Sequence, residues 1–276
     1  EPYRRQRQMC IRDRNSVISY YLNYVSFKRN TAVVVAAGNE ATARHHYYGE
    51  VAFGQQSDVV EVDVEDAVAG FHIEMWAKAP ELYSVRIISP TGERTAGVRV
   101  QQDGREVYRF VFENTQVIID YHIVGTATGD QLIYIRFDRP TRGIWTIEVN
   151  GDYSIEGRYH MWLPITGLIA GDISFIRSNP DTTITMPGNA AAPMTVGGYN
   201  AGNDSIYLNS SRGYTASGLV KPDFAAPGVN VIGPAPGNRF EARSGTSIAA
   251  AITAGAAALY LEWAVERGYN TDTVSY

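Results

Sequence analysis

Cysteine is almost absent. Cys10 is the single one, so no intrachain disulfide can form and cysteine usage carries no information about redox compartment. An excess of basic charge is missing too. The formal net charge is −5, and no interior stripe of Lys and Arg supplies the concentrated positive charge that phosphate neutralisation requires, which excludes nucleic acid as a partner. The basic residues that do cluster, Arg4, Arg5, Arg7, Arg12 and Arg14, lie in a terminal stretch without apolar periodicity. Residues 1–14 therefore read as a non-native or disordered leader with no chemistry of its own. No apolar run is long enough to span a bilayer, so no membrane span is expected. No internal repeat is evident.

What is present is an ordinary globular composition, 45% hydrophobic and 19% charged, with 26 Gly and 18 Tyr that lean towards strands and turns. At 276 residues the chain can bury one large core or two smaller ones. Between Ser16 and Lys28 apolar residues recur at helical spacing, predicting an amphipathic helix capped by Asn15 or Ser16. The run from Thr31 to Asn39 is β-branched and small, the pattern of a strand buried on both faces. From about Tyr47 to Ile176 the texture changes to short alternating runs such as Val59–Val64, Phe71–Trp76, Tyr83–Ile88, Tyr108–Phe112, Leu132–Phe137 and Trp145–Val149, separated by turn signals. This predicts a β-sandwich. After Asn179-Pro180 the small-residue texture returns, with a strand at Met194–Gly197 and an apolar, proline-free run from Ile248 to about Arg267 that predicts a buried helix. The expected organisation is a leader at 1–14, an α/β domain at 15–46 and 181–276, and an inserted antiparallel β-sandwich at 47–180.

The candidate chemistry centres on Ser247. A serine opening a buried helix after Gly245 and Thr246 stands where free backbone N–H groups and the helix dipole favour developing negative charge. The bland alternative is a helix N-cap. Asn39, after a strand, reads on its own equally well as a turn residue. His45-His46 point in different directions in an extended chain and have no nearby third ligand, so no metal site is expected. Asp63 with Glu65, and Asp120 with Asp138, resemble acid/base pairs, but strand alternation makes them solvent-face residues. Trp76, Trp145, Tyr83 and Tyr134 suit either a sugar-binding platform or a sandwich core.

Gly245-Thr246-Ser247-Ile248-Ala249 followed by Ala254-Gly255 resembles the nucleophile motif of the subtilisin-like serine peptidases. Val34-Val35-Ala36-Ala37-Gly38-Asn39-Glu40 is similar to that family's oxyanion-hole strand. Lys221-Pro222-Asp223 with Ala226-Pro227-Gly228, and Ser210-Ser211-Arg212-Gly213, are similar to two further family blocks, in the family's order. The resemblance implies an α/β fold holding the C-terminal part of a subtilisin-like parallel-sheet domain. It also implies Ser247 as nucleophile, Asn39 as oxyanion donor, and Ala36, Ala37 and Gly38 as backbone walls of the substrate pocket. The implied partner is a protein or peptide substrate, the implied cofactor none, and an intramolecular pro-peptide is compatible with the family. A bacterial extracytoplasmic setting, secreted or associated with the spore or cell envelope, follows from the same resemblance.

Three features depart from the family pattern. The triad places Asp and His upstream of the oxyanion-hole strand, yet no His precedes Asn39; His45, His46, His72, His122 and His160 all follow it. The triad His and Asp are expected to be absent from this chain, as in a fragment. Ala251 stands where the family usually has Pro, a mild change within a helix. Ser247 follows Asn39 by 208 positions, an excess that the sandwich accounts for. An insertion at this point, jelly-roll-like, with His45-His46 just after Asn39, resembles the Csp group of germination proteases, which includes processing proteases and inactive relatives that act by binding. A serine endopeptidase is the expected function of the intact protein. A pseudoprotease that binds a partner, and a carbohydrate-binding sandwich, are the alternatives.

Overall fold

The chain runs as helix α1 (Val17–Ser26), strands β1 (Val34–Ala36), β2 (His46–Glu50), β3 (Ser57–Val64), β4 (Gly70–Ala77), β5 (Leu82–Ile88), β6 (Arg105–Phe110), β7 (Thr115–Val124), β8 (Asp130–Asp138), β9 (Gly143–Tyr153), β10 (Arg158–Trp162) and β11 (Ile173–Phe175). There follow β12 (Met194–Asn200), β13 (Ser205–Ile206), β14 (Phe224–Pro227), β15 (Val231–Ala235), β16 (Arg239–Arg243) and helix α2 (Thr246–Leu261), which continues into one π-helical segment at Glu262–Glu266. This computed structural model describes residues 16–51, 57–65, 69–97, 104–124 and 129–266; the leader expected at 1–14 lies outside them. The elements form two compact units, Glu1–Ala43 with Pro180–Tyr276, and Arg44–Asn179. The class is mixed α/β, mostly sheet, as the sequence implies.

In the first unit β12 is the organising strand. It pairs in parallel with β1, Val34 opposite Met194 and Ala36 opposite Val196, and in parallel with β14, Val196 opposite Phe224; β13 adds an antiparallel pair at Tyr199. α2 packs on β1, β12 and β14. Its small residues permit this approach. Val196, Ala226 and Ala249 form the buried cluster, with Val34 packed against it. Gly228 lies so close to the helix start that a Cβ there would sit 3.0 Å from the Gly245 carbonyl oxygen and 3.3 Å from the Ala249 Cβ.

Three expectations need correction here. The Thr31–Asn39 run forms only a three-residue strand, half-buried at Val34 and Ala36. α2 is apolar almost all round, yet only Thr246 and Ala249 are buried within it; Ile252, Leu259 and Tyr260 are exposed, because among the described residues the sheet covers one side alone. By length and composition the 20 helical residues Thr246–Val265 meet the requirement for crossing a bilayer, against the expectation of no such run; one side of the helix packs on the sheet. α1 turns the predicted amphipathic pattern inside out. Its buried residues are Ser19 and Ser26, while Val17, Tyr20, Tyr21 and Tyr24 are exposed.

The second unit is built from two antiparallel sheets, one ordered β2-β10-β4-β8-β7-β6 and the other β11-β3-β9-β5. Period-two alternation sends Val60, Val62 and Val64 from β3, Ile147 and Val149 from β9, and Ile73, Met75, Ile133 and Ile135 from β4 and β8 into one shared core. Trp145 of β9 is fully buried and meets Phe110 and Phe137 of the other sheet edge-on, with ring centroids 5.2 and 5.3 Å apart. That geometry suits the ring quadrupoles. Glu81 closes one end. Its buried carboxylate accepts the backbone N–H groups of Ile155, Glu156 and Gly157 at 2.9, 2.7 and 3.2 Å and the Tyr83 hydroxyl at 3.2 Å.

Candidate active site

The backbone leaves β1 and turns at Gly38, whose φ of +105° favours glycine. Space enforces the same choice, since a Cβ would lie 2.5 Å from Thr185 Oγ1 and 2.8 Å from Ser211 Oγ. Hydrogen bonds then suture the turn to two loops. Thr185 N donates to the Ala37 carbonyl at 2.9 Å, and Ser211 N to the Gly38 carbonyl at 2.9 Å. Glu40 N donates to Ser211 Oγ at 3.0 Å, and Ala41 N to the Asn209 carbonyl at 3.2 Å. The result is that Asn39 projects, exposed, from a rigid corner while Ala37 and Glu40 on either side are buried.

The start of α2 meets that corner. Asn39 Oδ1 accepts from Thr246 N at 3.0 Å and from Thr246 Oγ1 at 3.2 Å, and Thr246 Oγ1 accepts from Gly38 N at 3.1 Å. Because the amide oxygen is committed to Thr246, the orientation of the carboxamide is set and its NH₂ group faces the other way. Gly245 lies beside it, a Cβ there falling in ordinary contact 3.7 Å from Asn39 Nδ2. Ser247 is the second helical residue and exposed; the cap position belongs to Gly245, which has no side chain, and the first helical N–H, that of Thr246, is taken by Asn39 Oδ1. The N-cap alternative for Ser247 is thus not what the structure contains. Its own N–H belongs to the first turn, where backbone donors lack intrahelical acceptors. Gly38 and Asn39 therefore meet the N-terminus of the helix that bears the exposed Ser247, with Ala36 and Ala37 just before them in the chain.

No histidine joins them in this unit. All five histidines belong to Arg44–Asn179. His46 places Nδ1 3.2 Å from the Asn179 carbonyl, so that nitrogen is the donor, and Nε2 2.9 Å from His160 Nδ1. Among the described residues no group of His, Cys, Asp and Glu could hold a metal ion. Asp120 is buried rather than solvent-facing, but it is committed to Arg105 at 2.6 and 3.1 Å, and Asp138 to Arg136 at 3.1 Å. Neither is an acid/base pair.

The comparisons with known proteins bear on the same segment. Residues 168–275, which contain Ser247, match the subtilase family, peptidase S8. The chain carries a subtilase segment. The subtilase likeness extends to serine protease AprX of Bacillus subtilis, 38% identical over 106 residues, which make up 31% of this chain and 24% of AprX. The C5a peptidase of Streptococcus pyogenes is 32% identical over 93 residues, 34% of this chain and 8% of that protein. The solved structure of the Clostridium perfringens CspB protease superposes with a TM-score of 0.82 at 27% identity, covering 91% of this chain and 53% of that one. The chain thus spans a quarter or less of the curated relatives and about half of the solved one.

Within the subtilase segment, reading along the sequence missed the part Thr246, Thr185 and Ser211 play in holding Asn39. Ser211 and Thr246 lay inside quoted blocks, but hydroxyl roles that depend on a partner 171 or 207 positions away have no local signal. Thr185 had none at all. An apolar cavity of about 420 Å³ lies elsewhere, along the later turns of α2, lined by Thr31, Met194, Phe224, Ile252 and Tyr260 among others. None of the candidate site residues lines it.

Proposed function

We propose that the intact protein is a subtilisin-like serine endopeptidase with Ser247 as nucleophile and Asn39 as oxyanion donor. The observation that carries this reading is the Asn39–Thr246 coupling, which aims a carboxamide at the start of the helix bearing Ser247. In the proposed reaction Ser247 Oγ bonds to the scissile carbonyl carbon while a histidine takes its proton. The amine then leaves with that proton, and water releases the acyl group. The histidine and its orienting aspartate are assigned to sequence outside these 276 residues, since the family's order puts them ahead of the oxyanion-hole strand and no histidine precedes Asn39. A processing role of the germination-protease kind, with the sandwich as a jelly-roll-like module, is the finer reading; the likeness to the CspB protease supports it.

The test is peptide hydrolysis by the full-length protein. Ser247→Ala should reduce turnover to background, and Asn39→Ala should lower kcat by about 10²–10³, the usual cost of losing one oxyanion donor. The 276-residue chain alone should hydrolyse nothing. A full-length protein that neither cleaves peptides nor is phosphonylated at Ser247 by a fluorophosphonate, with loss of fluoride, would instead be a binding pseudoprotease.

A further inference from the structure

The first and last residues of the sandwich are tied to each other. Asn179 N donates to the His46 carbonyl at 2.8 Å, Leu163 N to the His45 carbonyl at 2.9 Å, and Phe175 N to the Arg44 carbonyl at 3.0 Å. One side chain adds to the tie. His46, only 1% exposed, returns its Nδ1–H to the Asn179 carbonyl, while its Nε2 faces His160 Nδ1 at 2.9 Å. Strand register sets that contact. His46 stands opposite Trp162, and Tyr48 opposite His160, in the β2–β10 ladder, so the two imidazoles are diagonal neighbours on one face. Trp162 stacks on both, its ring centroid 5.0 Å from His46 and 5.1 Å from His160.

Two ring nitrogens at this distance share one proton. With the Nδ1–H of His46 given to Asn179, the neutral ring presents a bare Nε2, which accepts the Nδ1–H of His160. One added proton leaves an N–H···N bond in place with the charge on either ring, and the indole face of Trp162 favours that single cation. A second added proton sets N–H against N–H and cation against cation. The contact cannot then persist, and His46 is left with a buried N–H that has lost its acceptor.

The surroundings balance one charge rather than two. Among the described residues of β2, β10 and β4, the other titratable groups on this face are Tyr48 and Glu50, Arg158 opposite Glu50, and His72 and Glu74, the last opposite Trp162. Tyr48 tilts against His160 at 5.0 Å, Glu74 accepts from Trp76 Nε1 at 3.1 Å, and burial keeps His72 neutral down to about 4. Arg177, on the exit segment, is drawn to Tyr47 and Asp58, and Tyr47 points to the opposite face of β2 from His46. We propose that the His46–His160 pair is an acid-released latch, which holds the last residues of the sandwich against its first strand until both imidazoles are charged. The second proton is opposed by the first, so release falls below the ordinary histidine value of about 6.5. An unfolded chain takes up both protons near that value, so the latch's contribution is present above it and is lost as pH falls. The proposal rests on the sandwich alone and is independent of the protease reading.

Amide hydrogen exchange of the 276-residue chain, followed by NMR at pH 7.5 and pH 5 and corrected for intrinsic exchange, tests it. Protection of the Leu163 and Asn179 amides should fall tenfold or more at the lower pH, with β8 and β9 unchanged. His160→Asn supplies an amide that can donate to His46 or accept from it and never titrates; both amides should stay protected at both pH values. His46→Phe, which keeps a ring but has no nitrogen, should leave the Asn179 amide poorly protected at both. Unchanged protection of the parent between the two pH values would overturn the latch. So would an acid step of the same size in His160→Asn, or simultaneous loss of protection in β8 and β9, which would mark acid unfolding of the whole sandwich.

Discussion

The two units hold themselves together in different ways. The Arg44–Asn179 unit closes a large apolar core between two antiparallel sheets, with Trp145, Phe137, Ile135 and their neighbours fully buried. Among the described residues, the unit that carries Ser247 has a buried apolar cluster of only Val196, Ala226 and Ala249, and its aromatic helices are largely exposed. Around the site the order comes from polar sutures: Thr246 to Asn39, Ser211 to Glu40, Thr185 to Ala37. Burial is non-directional and fixes a fold; hydrogen bonds are directional and fix the aim of one carboxamide. The difference teaches that stability and site geometry are borne by separate parts of this chain.

That contrast can be broken by mutation. The largest expected effect is Trp145→Ala, which removes a fully buried ring and should cost about 3–5 kcal/mol. Hydrogen exchange should then show lost protection in β3, β4, β8 and β9 while β12 keeps its own; simultaneous loss in β12 would show that the units unfold together. Next comes Gly38→Ala. With φ at +105° and a 2.5 Å clash, it should destabilise by more than about 1 kcal/mol and remove the peptide hydrolysis proposed for the full-length protein, with β8 and β9 protection unchanged. Smaller again is Thr246→Val, which deletes the hydroxyl's bonds to Asn39 Oδ1 and from Gly38 N but keeps the backbone bond to Asn39. A net hydrogen bond is worth about 1 kcal/mol, so kcat should fall roughly fivefold with KM little changed.

The smallest effects are in pH dependence, and they belong to the sandwich. Burial alone would raise the Glu81 pKa, but three backbone N–H groups and the Tyr83 hydroxyl bind the ionised form and hold it below the ordinary carboxylate range. A folded pKa below the unfolded value of about 4.3 means that its stabilisation is present above that pH and is lost as pH falls through the folded value. Glu81→Gln should flatten that part of the acid-unfolding curve. His72, neutral when folded down to about 4, behaves differently in range though not in sign. Its unfolded form takes a proton near pH 6.5, so stability should decline from about 6.5 towards about 4, and His72→Phe should remove that slope. Thermal melts across pH 3–8 would check both; an unaltered profile in either variant would contradict its assignment.

Much of the sandwich was legible because strand alternation is a local property. The runs at Val59–Val64, Phe71–Trp76, Tyr83–Ile88, Leu132–Phe137 and Trp145–Val149 all lie within observed strands. Short elements such as β2, β10 and β13–β16 were not anticipated, since two to five residues carry little periodicity and their pairing is decided by distant partners. α1 and α2 were recognised as helices, but what covers them was misjudged. An apolar pattern states that a face resists water and does not state which layer lies over it.

By itself the sequence determined the chemistry on offer: an exposed-end serine after Gly245-Thr246, an amide at Asn39, and no histidine ahead of that amide. It also determined which residues of a strand share a face, because side chains alternate with period two, but not which face turns inward. Only the tertiary structure decided that Asn39 Oδ1 is held by Thr246, that Ser247 is not a cap, and that Trp76 and Tyr134 share a face while Trp145 and Tyr83 enter the core. Each of those outcomes depends on contacts between residues far apart in the chain, and such contacts are settled by register and packing rather than by local preference.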